Sequence, residues 1–237
     1  MQSDGADPIQ LSKLIAVLEG QVSEMGVNLQ YGTSFEKLED LLPLDDKAEL
    51  TPHFSTAFNT YTEANAFWVG GFDAEGSLVA LNAVRMDDLG SGNMGDFIPR
   101  YWHRCYPGKQ GERATPSAEQ PEFWQEMSGR VAYFGEFALK RKGFQGKGLP
   151  KIFAPLMLLL AVQKFSADWY LTWVKPRDWA MRYPLAYGFT TTYEEGLLWD
   201  DPPASIDPDL VAAVNSRRQV RHVIRVLRRR YLITSSS

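Results

Sequence analysis

The sequence FGEFALKRKGFQGKGLPKIFAPLMLLLA, residues 134–161, concentrates glycine and positive charge at its centre. Gly143, Gly146 and Gly148 stand among Arg141, Lys142, Gln145 and Lys147. Glycines let an anion approach the backbone closely. A helix opening at Leu149 would aim its free N–H groups and positive dipole end at the same spot. Together these features suit a pyrophosphate or phosphopantetheine group, although a surface β–α turn with solvated lysines has the same composition. The block is not a nucleotide P-loop, because Leu149 follows Gly148 where Lys and Ser/Thr would be required.

Other constellations carry less. Gly90-Ser-Gly-Asn-Met-Gly95 matches GxGxxG in letters, but Pro99 follows closely and no strong helical pattern starts there, so it reads as a flexible loop. His103 and Cys105 are neighbours in YWHRCYPG and read as a loop histidine and a small apolar cysteine. With His53 and His222 they form no metal-ligand spacing. There is no Gly-x-Ser-x-Gly elbow and no His-Glu-x-x-His motif.

Elements that could position the basic turn are visible on both sides of it. The chain has 237 residues, 44% hydrophobic and 23% charged, an ordinary globular composition that excludes a mainly disordered chain. One cysteine rules out an internal disulfide framework and fits a reducing compartment. Residues 1–7 are polar and acidic, unlike a targeting signal, and the apolar run from Ile152 to Val162 is too short to span a bilayer. A cytoplasmic protein is expected.

Periodicity predicts a first helix on Leu11, Leu14, Ile15, Leu18 and Val22, then a strand near Val27–Tyr31. Thr33 and Glu36 pair as a capping box for a second helix through Phe35, Leu38, Leu41 and Leu42. A third helical stretch is expected between Pro52 and Tyr61. Ala66–Asp73 and Leu78–Arg85 form a hairpin signal around Ala-Glu-Gly-Ser. Residues 86–122 read as a long insertion whose Phe97, Tyr101, Trp102 and Tyr106 pack on the core or cover an apolar tunnel. Val131–Leu139 is a strand, Leu149–Phe165 an apolar helix, Trp169–Val174 a strand and Arg177–Ala186 a short helix. A strand region over Thr190–Trp199 and a linker at Asp201-Pro-Pro-Ala-Ser precede an amphipathic helix over Pro208–Ile233. These divide the chain into 1–65, a core at 66–199, and 200–237.

The strand, basic turn and long helix resemble the acyl-CoA-binding motif of the GCN5-related N-acetyltransferase (GNAT) superfamily. The likeness continues through WYLTWV and PRDWAMRYPLAYGF, where Ala180, Tyr183, Gly188 and Phe189 match the superfamily's second signature, and through the upstream hairpin. Three positions depart from the pattern. Gly143 stands where Gln or Arg is usual, Pro150 removes one N–H from the helix's first turn, and Pro184 replaces the usual tyrosine.

The resemblance implies an α/β fold with a central mixed, mostly antiparallel sheet flanked by helices. It also implies N-acyltransfer by direct attack of a small-molecule amine on a thioester. Acyl-CoA, or the phosphopantetheine of an acyl carrier protein, would be co-substrate, with no cofactor permanently bound. Glu136, in the apolar setting Tyr133-Phe-Gly-Glu-Phe-Ala, would be the base, although a strand glutamate facing solvent is the plainer reading. Tyr183 or Tyr187 would protonate the leaving thiolate, unless each is simply a packed aromatic. Backbone N–H groups of Phe137, Ala138 and Leu139 would polarise the carbonyl. Arg141, Lys142, Gly143, Gln145, Gly146, Lys147, Gly148 and Leu149 would hold the phosphates. Alternatives are a long-chain N-acyl amino acid or acyl-homoserine-lactone type synthase, and a non-catalytic protein that binds a thioester or a partner.

Charge is unevenly spread. The net charge is −4, yet all seven charges from Val211 onward are arginines, leaving 18 basic against 29 acidic groups elsewhere. The plain expectation is that the Arg217–Arg230 helix docks on the chain's own acidic body. It would equally suit an acidic acyl carrier protein or a peripheral contact with anionic lipid; nucleic acid fits least.

Overall fold

The computed structural model describes residues 7–44, 47–102, 106–109, 113–140 and 148–233. Helix α1 (Pro8–Glu24) opens with proline at its first position, and the Asp7 side chain accepts the Ile9 N–H at 3.0 Å. Its buried stripe is Leu11, Leu14, Ile15, Leu18 and Val22, as periodicity predicts. Strand β1 (Asn28–Gly32) follows, then helix α2 (Phe35–Asp40), β2 (Ala66–Phe72) and β3 (Leu78–Asn93). After a short helix α3 (Met94–Phe97) and a π-helical turn over Ile98–Trp102 come the two-residue β4 (Thr115–Pro116) and β5 (Ser128–Leu139). The remainder is α4 (Leu149–Phe165), β6 (Trp169–Val174), α5 (Pro176–Ala180), α6 (Tyr183–Ala186), β7 (Thr191–Tyr193), β8 (Trp199–Asp201), β9 (Val211–Ser216) and α7 (Arg217–Arg228).

Seven strands form one sheet in the order β1-β2-β3-β5-β6-β9-β7. Every pairing is antiparallel except β5 with β6. The expected α/β architecture, a mixed and mostly antiparallel sheet flanked by helices, is therefore present. Helices α1, α4 and α7 cover one face and share a core with Ala132 and Phe134 of β5. The other face holds Val131 and Tyr133 against Phe35, Phe54 and Trp124. The alternation along β5 is the period-two pattern of a strand buried on both sides.

Several expectations are corrected. Residues 211–216 are strand, not the start of a helix from Pro208. As an inner strand, β9 is buried on both faces, so its apolar run lacks the alternation that marks a half-exposed strand. Helix α7 begins only after Ser216, which forms a capping box with Gln219. The cap of α2 is Ser34, not Thr33: its hydroxyl accepts the Lys37 N–H at 3.2 Å and donates to Glu36. Trp68 Nε1 donates to the Ser34 carbonyl at 2.9 Å, which pins the exit of β1 and delays the helix by one residue. Helix α2 stops at Asp40, two residues before the Leu42–Pro43 step that disfavours helical backbone.

Residues 52–61 form turns in place of a helix. Long-range partners hold them there: the Glu39 carboxylate takes the Ser55 and Thr56 hydroxyls and the Thr56 N–H. The GxGxxG stretch is ordered structure, since residues 90–93 continue β3 and Asn93 caps α3 by accepting the Asp96 N–H at 3.0 Å. Arg177–Ala186 is two short helices separated by Arg182 in left-handed backbone. Residues 190–199 contribute β7 and only the first residue of β8.

Candidate active site

The parallel ladder between β5 and β6 is short. It runs from Val131↔Trp169 to Phe134↔Thr172 and then ends, although both strands continue. Its end coincides with a bulge in β5. On β3, Leu81 and Ala83 pair with Ala138 and Gly135, so three steps along β5 match two along β3. Glu136 is the bulged residue, with φ 59°, a left-handed conformation that costs energy for any residue but glycine. The bulge bends β5 away from β6 and opens a cleft of about 520 Å³ between them. Phe134, Gly135, Glu136 and Phe137 line one side, and Thr172, Trp173, Val174 and Lys175 the other.

Glu136 is a buried side chain with two sets of partners. One carboxylate oxygen accepts the Thr51 N–H at 3.0 Å and also the Thr51 hydroxyl. The other lies 2.6 Å from Lys47 Nζ. The apolar setting expected from neighbouring residues is thus offset by polar groups more than eighty positions upstream, and the carboxylate does not face open solvent. Asn82 supports the bulge by donating to the Gly135 carbonyl at 3.0 Å. Its own Oδ1, and Trp199 Nε1, are buried without a hydrogen-bond partner among the described residues, and both residues line the cleft. Buried orphan groups of this kind favour a ligand with complementary polar atoms.

Tyr183 and Tyr187 stack on each other with centroids 5.9 Å apart, and both line the cleft. Tyr187 also packs on Phe137 at 4.8 Å. Burial, with Tyr183 and Asp178 adding to it, raises the Tyr187 pKa far above the ordinary phenol value, so its hydroxyl stays protonated. Tyr133, on the cleft's inner wall, is likewise raised, by burial first and then by Tyr106.

Of the residues expected from sequence, Glu136, Phe137, Tyr183 and Tyr187 come together in this cleft. Ala138 and Leu139 lie on the same strand just past the bulge but pack against the two cores. Gly148 caps α4 with φ 80°, which glycine adopts freely, and no side chain caps the helix. Leu149 is buried in the core, and Lys151 donates its N–H to the Gly148 carbonyl. Arg141, Lys142, Gly143, Gln145, Gly146 and Lys147 lie outside the described residues, as do His103 and Cys105. Lys47, Thr51, Asn82 and Trp199 were not legible as site residues; no local spacing marks a partner so far away in sequence.

A second cavity of about 590 Å³ adjoins through His53, which borders both. The His53 ring stands edge-on to Tyr106 and Tyr133, with centroids 5.3 and 5.6 Å away. The stretch expected as an insertion supplies much of this second wall, including Asp88, Asp96, Phe97 and Tyr101. Arg85 forms its floor, ion-paired to Asp87 at 3.1 Å and donating to the His53 carbonyl at 2.9 Å. Phe97 and Tyr101 pack on each other at 5.1 Å, and Tyr106 is buried against the cleft; nothing is described for the Trp102 side chain.

No protein-family model matches the sequence, and no curated protein matches it. Among solved structures, the chain is similar to a mutant spermidine N-acetyltransferase, SpeG, from Vibrio cholerae. That match has 12% identity, covers 83% of this chain and 96% of that one, and has a TM-score of 0.45. It is also similar to aminoglycoside acetyltransferase AAC(6')-Ib in complex with coenzyme A and kanamycin, at 11% identity, 82% and 98% coverage and TM-score 0.43. The same enzyme in complex with ribostamycin and coenzyme A matches at 14% identity, 83% and 96% coverage and TM-score 0.44. These likenesses are remote, so the chemistry of the site rests on this chain's own geometry.

Among the described residues no helix is long and apolar enough to cross a membrane. Helix α7 buries Val220, Val223, Ile224 and Leu227, while Arg217 pairs with Asp168 at 2.9 Å and donates to the Ser166 and Ala167 carbonyls. Arg218, Arg225 and Arg229 are exposed.

Proposed function

We propose that this protein is an N-acyltransferase of the GCN5-related type, moving an acyl group from a thioester to a small-molecule amine by direct attack. The observation that carries the reading is the divergence of β5 and β6 immediately after Phe134↔Thr172, with the bulged Glu136 facing the gap. A cleft between separating strands admits a slender pantetheine-like arm without breaking further hydrogen bonds, because the ladder has already ended. Alternation supports an oxyanion role for the backbone. The Lys140 N–H donates to Val79 on β3, so the N–H groups of Leu139 and Phe137 turn to the opposite side, where β6 no longer pairs.

In this reading Glu136 accepts the proton of the attacking ammonium, and protonated Tyr187, or Tyr183 beside it, supplies a proton to the departing thiolate. Gly148 and the start of α4 receive the donor's phosphates together with the basic turn at residues 141–147. Acyl-CoA is the proposed donor and co-substrate. Docking of an acyl carrier protein through α7 would need that helix near the cleft mouth, but α7 starts where Ser216 pairs with Trp169, at the opposite end of β6 from the gap. The amine enters from the second cavity, where Asp88 and Asp96 favour a cationic acceptor.

The test is steady-state kinetics on an amine panel with acetyl-CoA and longer acyl-CoAs, alongside calorimetry with CoA. Glu136→Gln should lower turnover by about 100-fold or more with CoA affinity unchanged. Binding without turnover across the panel would instead favour a thioester-binding protein, and absence of CoA binding would remove the reading altogether.

A further inference from the structure

We infer that Lys47 is itself an acyl acceptor, seated on Glu136 so that the protein acylates its own side chain when a thioester occupies the cleft. The inference rests on the acyltransferase reading above and adds a covalent modification site to it. Its basis is the placement of one amine. Lys47 Nζ lies 2.6 Å from the Glu136 carboxylate, with 17% of the lysine side chain and none of the glutamate exposed. A general base must be within reach of the proton it removes; the N···O distance meets that condition, although the contact is an ion pair whose angles are not those of a hydrogen bond.

The amine is also held in place. Lys47 exchanges two backbone hydrogen bonds with Leu44, at 2.9 and 3.0 Å, and Leu44 is buried in the core. Four residues on, Thr51 is fixed by its N–H and hydroxyl to the other oxygen of the same carboxylate. Both ends of the segment are therefore anchored around Glu136, and the ammonium projects into the cleft that the donor would occupy. Among the described residues, the other lysine in an ion pair is Lys140, whose partner Asp73 lies 3.6 Å away outside the cleft. An anchored nucleophile beside its base loses little further freedom on reaction, the condition under which intramolecular attack is fast.

The step balances without another reactant. A Glu136 oxygen takes one proton from the Lys47 ammonium, and the freed amine attacks the thioester carbonyl carbon. A C–N bond forms and the C–S bond breaks; the nitrogen gives up its second proton, which the departing thiolate takes up to leave as the thiol, and Glu136 releases the first to solvent. The product is an Nε-acyl-lysine that has lost its positive charge, so acylation dissolves the ion pair and leaves Glu136 open to an exogenous amine.

The experiment incubates the purified full chain with acetyl-CoA and no added amine, followed by intact mass and peptide mapping. One acetyl group per chain is expected, located on Lys47. Lys47→Arg, which keeps the charge but not the nucleophile, should remain unmodified. Glu136→Gln should slow modification by about 100-fold, while calorimetry shows CoA still bound and thermal melting shows the variant folded. Modification of Lys47 at equal rate in Glu136→Gln, or in chain unfolded with urea, would mark ordinary chemical acylation and overturn the proposal. An unmodified Lys47 in protein that binds CoA and acylates an added amine would overturn it while leaving the acyltransferase reading intact. A chain that binds no CoA defeats both.

Discussion

The Thr172 hydroxyl donates to the Phe134 carbonyl at 3.0 Å, on the last rung that joins β5 to β6. Beyond that rung the ladder is gone, so this side-chain bond closes the seam at the point where the cleft begins. Its position gives it leverage over how far the two strands separate.

Thr172→Val keeps the shape and removes the donor. The Phe134 carbonyl then loses its side-chain partner at a half-buried site, a cost of about 1–3 kcal/mol. A lower urea midpoint at unchanged m is expected, together with weaker CoA binding as the seam loosens. An unchanged midpoint would show that the carbonyl finds another partner.

Gly135 precedes the bulge, and a Cβ there would lie 2.5 Å from Cε2 of Phe54. The Phe54 ring cannot swing clear, because it stacks on Phe35 and Tyr133. Gly135→Ala should therefore destabilise by about 1–3 kcal/mol through overpacking. In a Phe54→Ala background the same substitution should cost less, and a double-mutant cycle of denaturation midpoints measures the difference.

Burial pushes the phenols of Tyr61 and Tyr170 up to about 12, with Arg85 and Arg217 respectively acting against the shift. The folded state thus holds these protons more tightly than the unfolded chain, whose tyrosines titrate near 10. Stability should be independent of these groups below pH 10 and fall as pH rises from about 10 toward 12. Denaturation midpoints between pH 8 and 11.5 check this, and Tyr170→Phe should flatten the alkaline decline.

Arg225 on α7 and Arg229 just past its end are exposed, while the other face of α7 packs in the core. Replacing both with Glu should leave transfer from acyl-CoA within a factor of about two, as expected of surface substitutions remote from a cleft. A large loss with acyl-CoA would place α7 in the catalytic machinery. Unchanged transfer from acyl-CoA with lost transfer from a carrier protein would reinstate the carrier protein as donor.

Legibility in the sequence tracked how local the deciding interactions are. Helix α4 was evident from its first to its last residue, because a long apolar run between Gly148 and Ser166 has no competing strand pattern. The β2–β3 hairpin was equally plain, since its turn chemistry lies within Asp73–Ser77, where the Asp73 carboxylate accepts the Ser77 N–H at 2.8 Å. Strand β9 was not, because Ala213 packs in the core on one side of the sheet and Ala212 and Val214 in the core on the other, so both faces are buried and the alternation is erased. The helix expected over residues 52–61 failed for the opposite reason: Glu39 and Arg85, both distant, capture its polar groups in a turn conformation.

Glu136, Tyr183 and Tyr187 became candidates only through the family resemblance, whereas the local pattern alone was sufficient for the order of strands and helices around the basic turn. That order depends on periodicity and glycine placement within a few residues, which any stretch of chain carries with it. The partners of Glu136 were decided only when the sheet assembled. Lys47 and Thr51 reach it across more than eighty residues, and the bulge that aims it exists only because β3 supplies one residue fewer than β5 over the same span. A register mismatch between two strands cannot be written in either strand by itself, so the geometry of the cleft belongs to the tertiary structure.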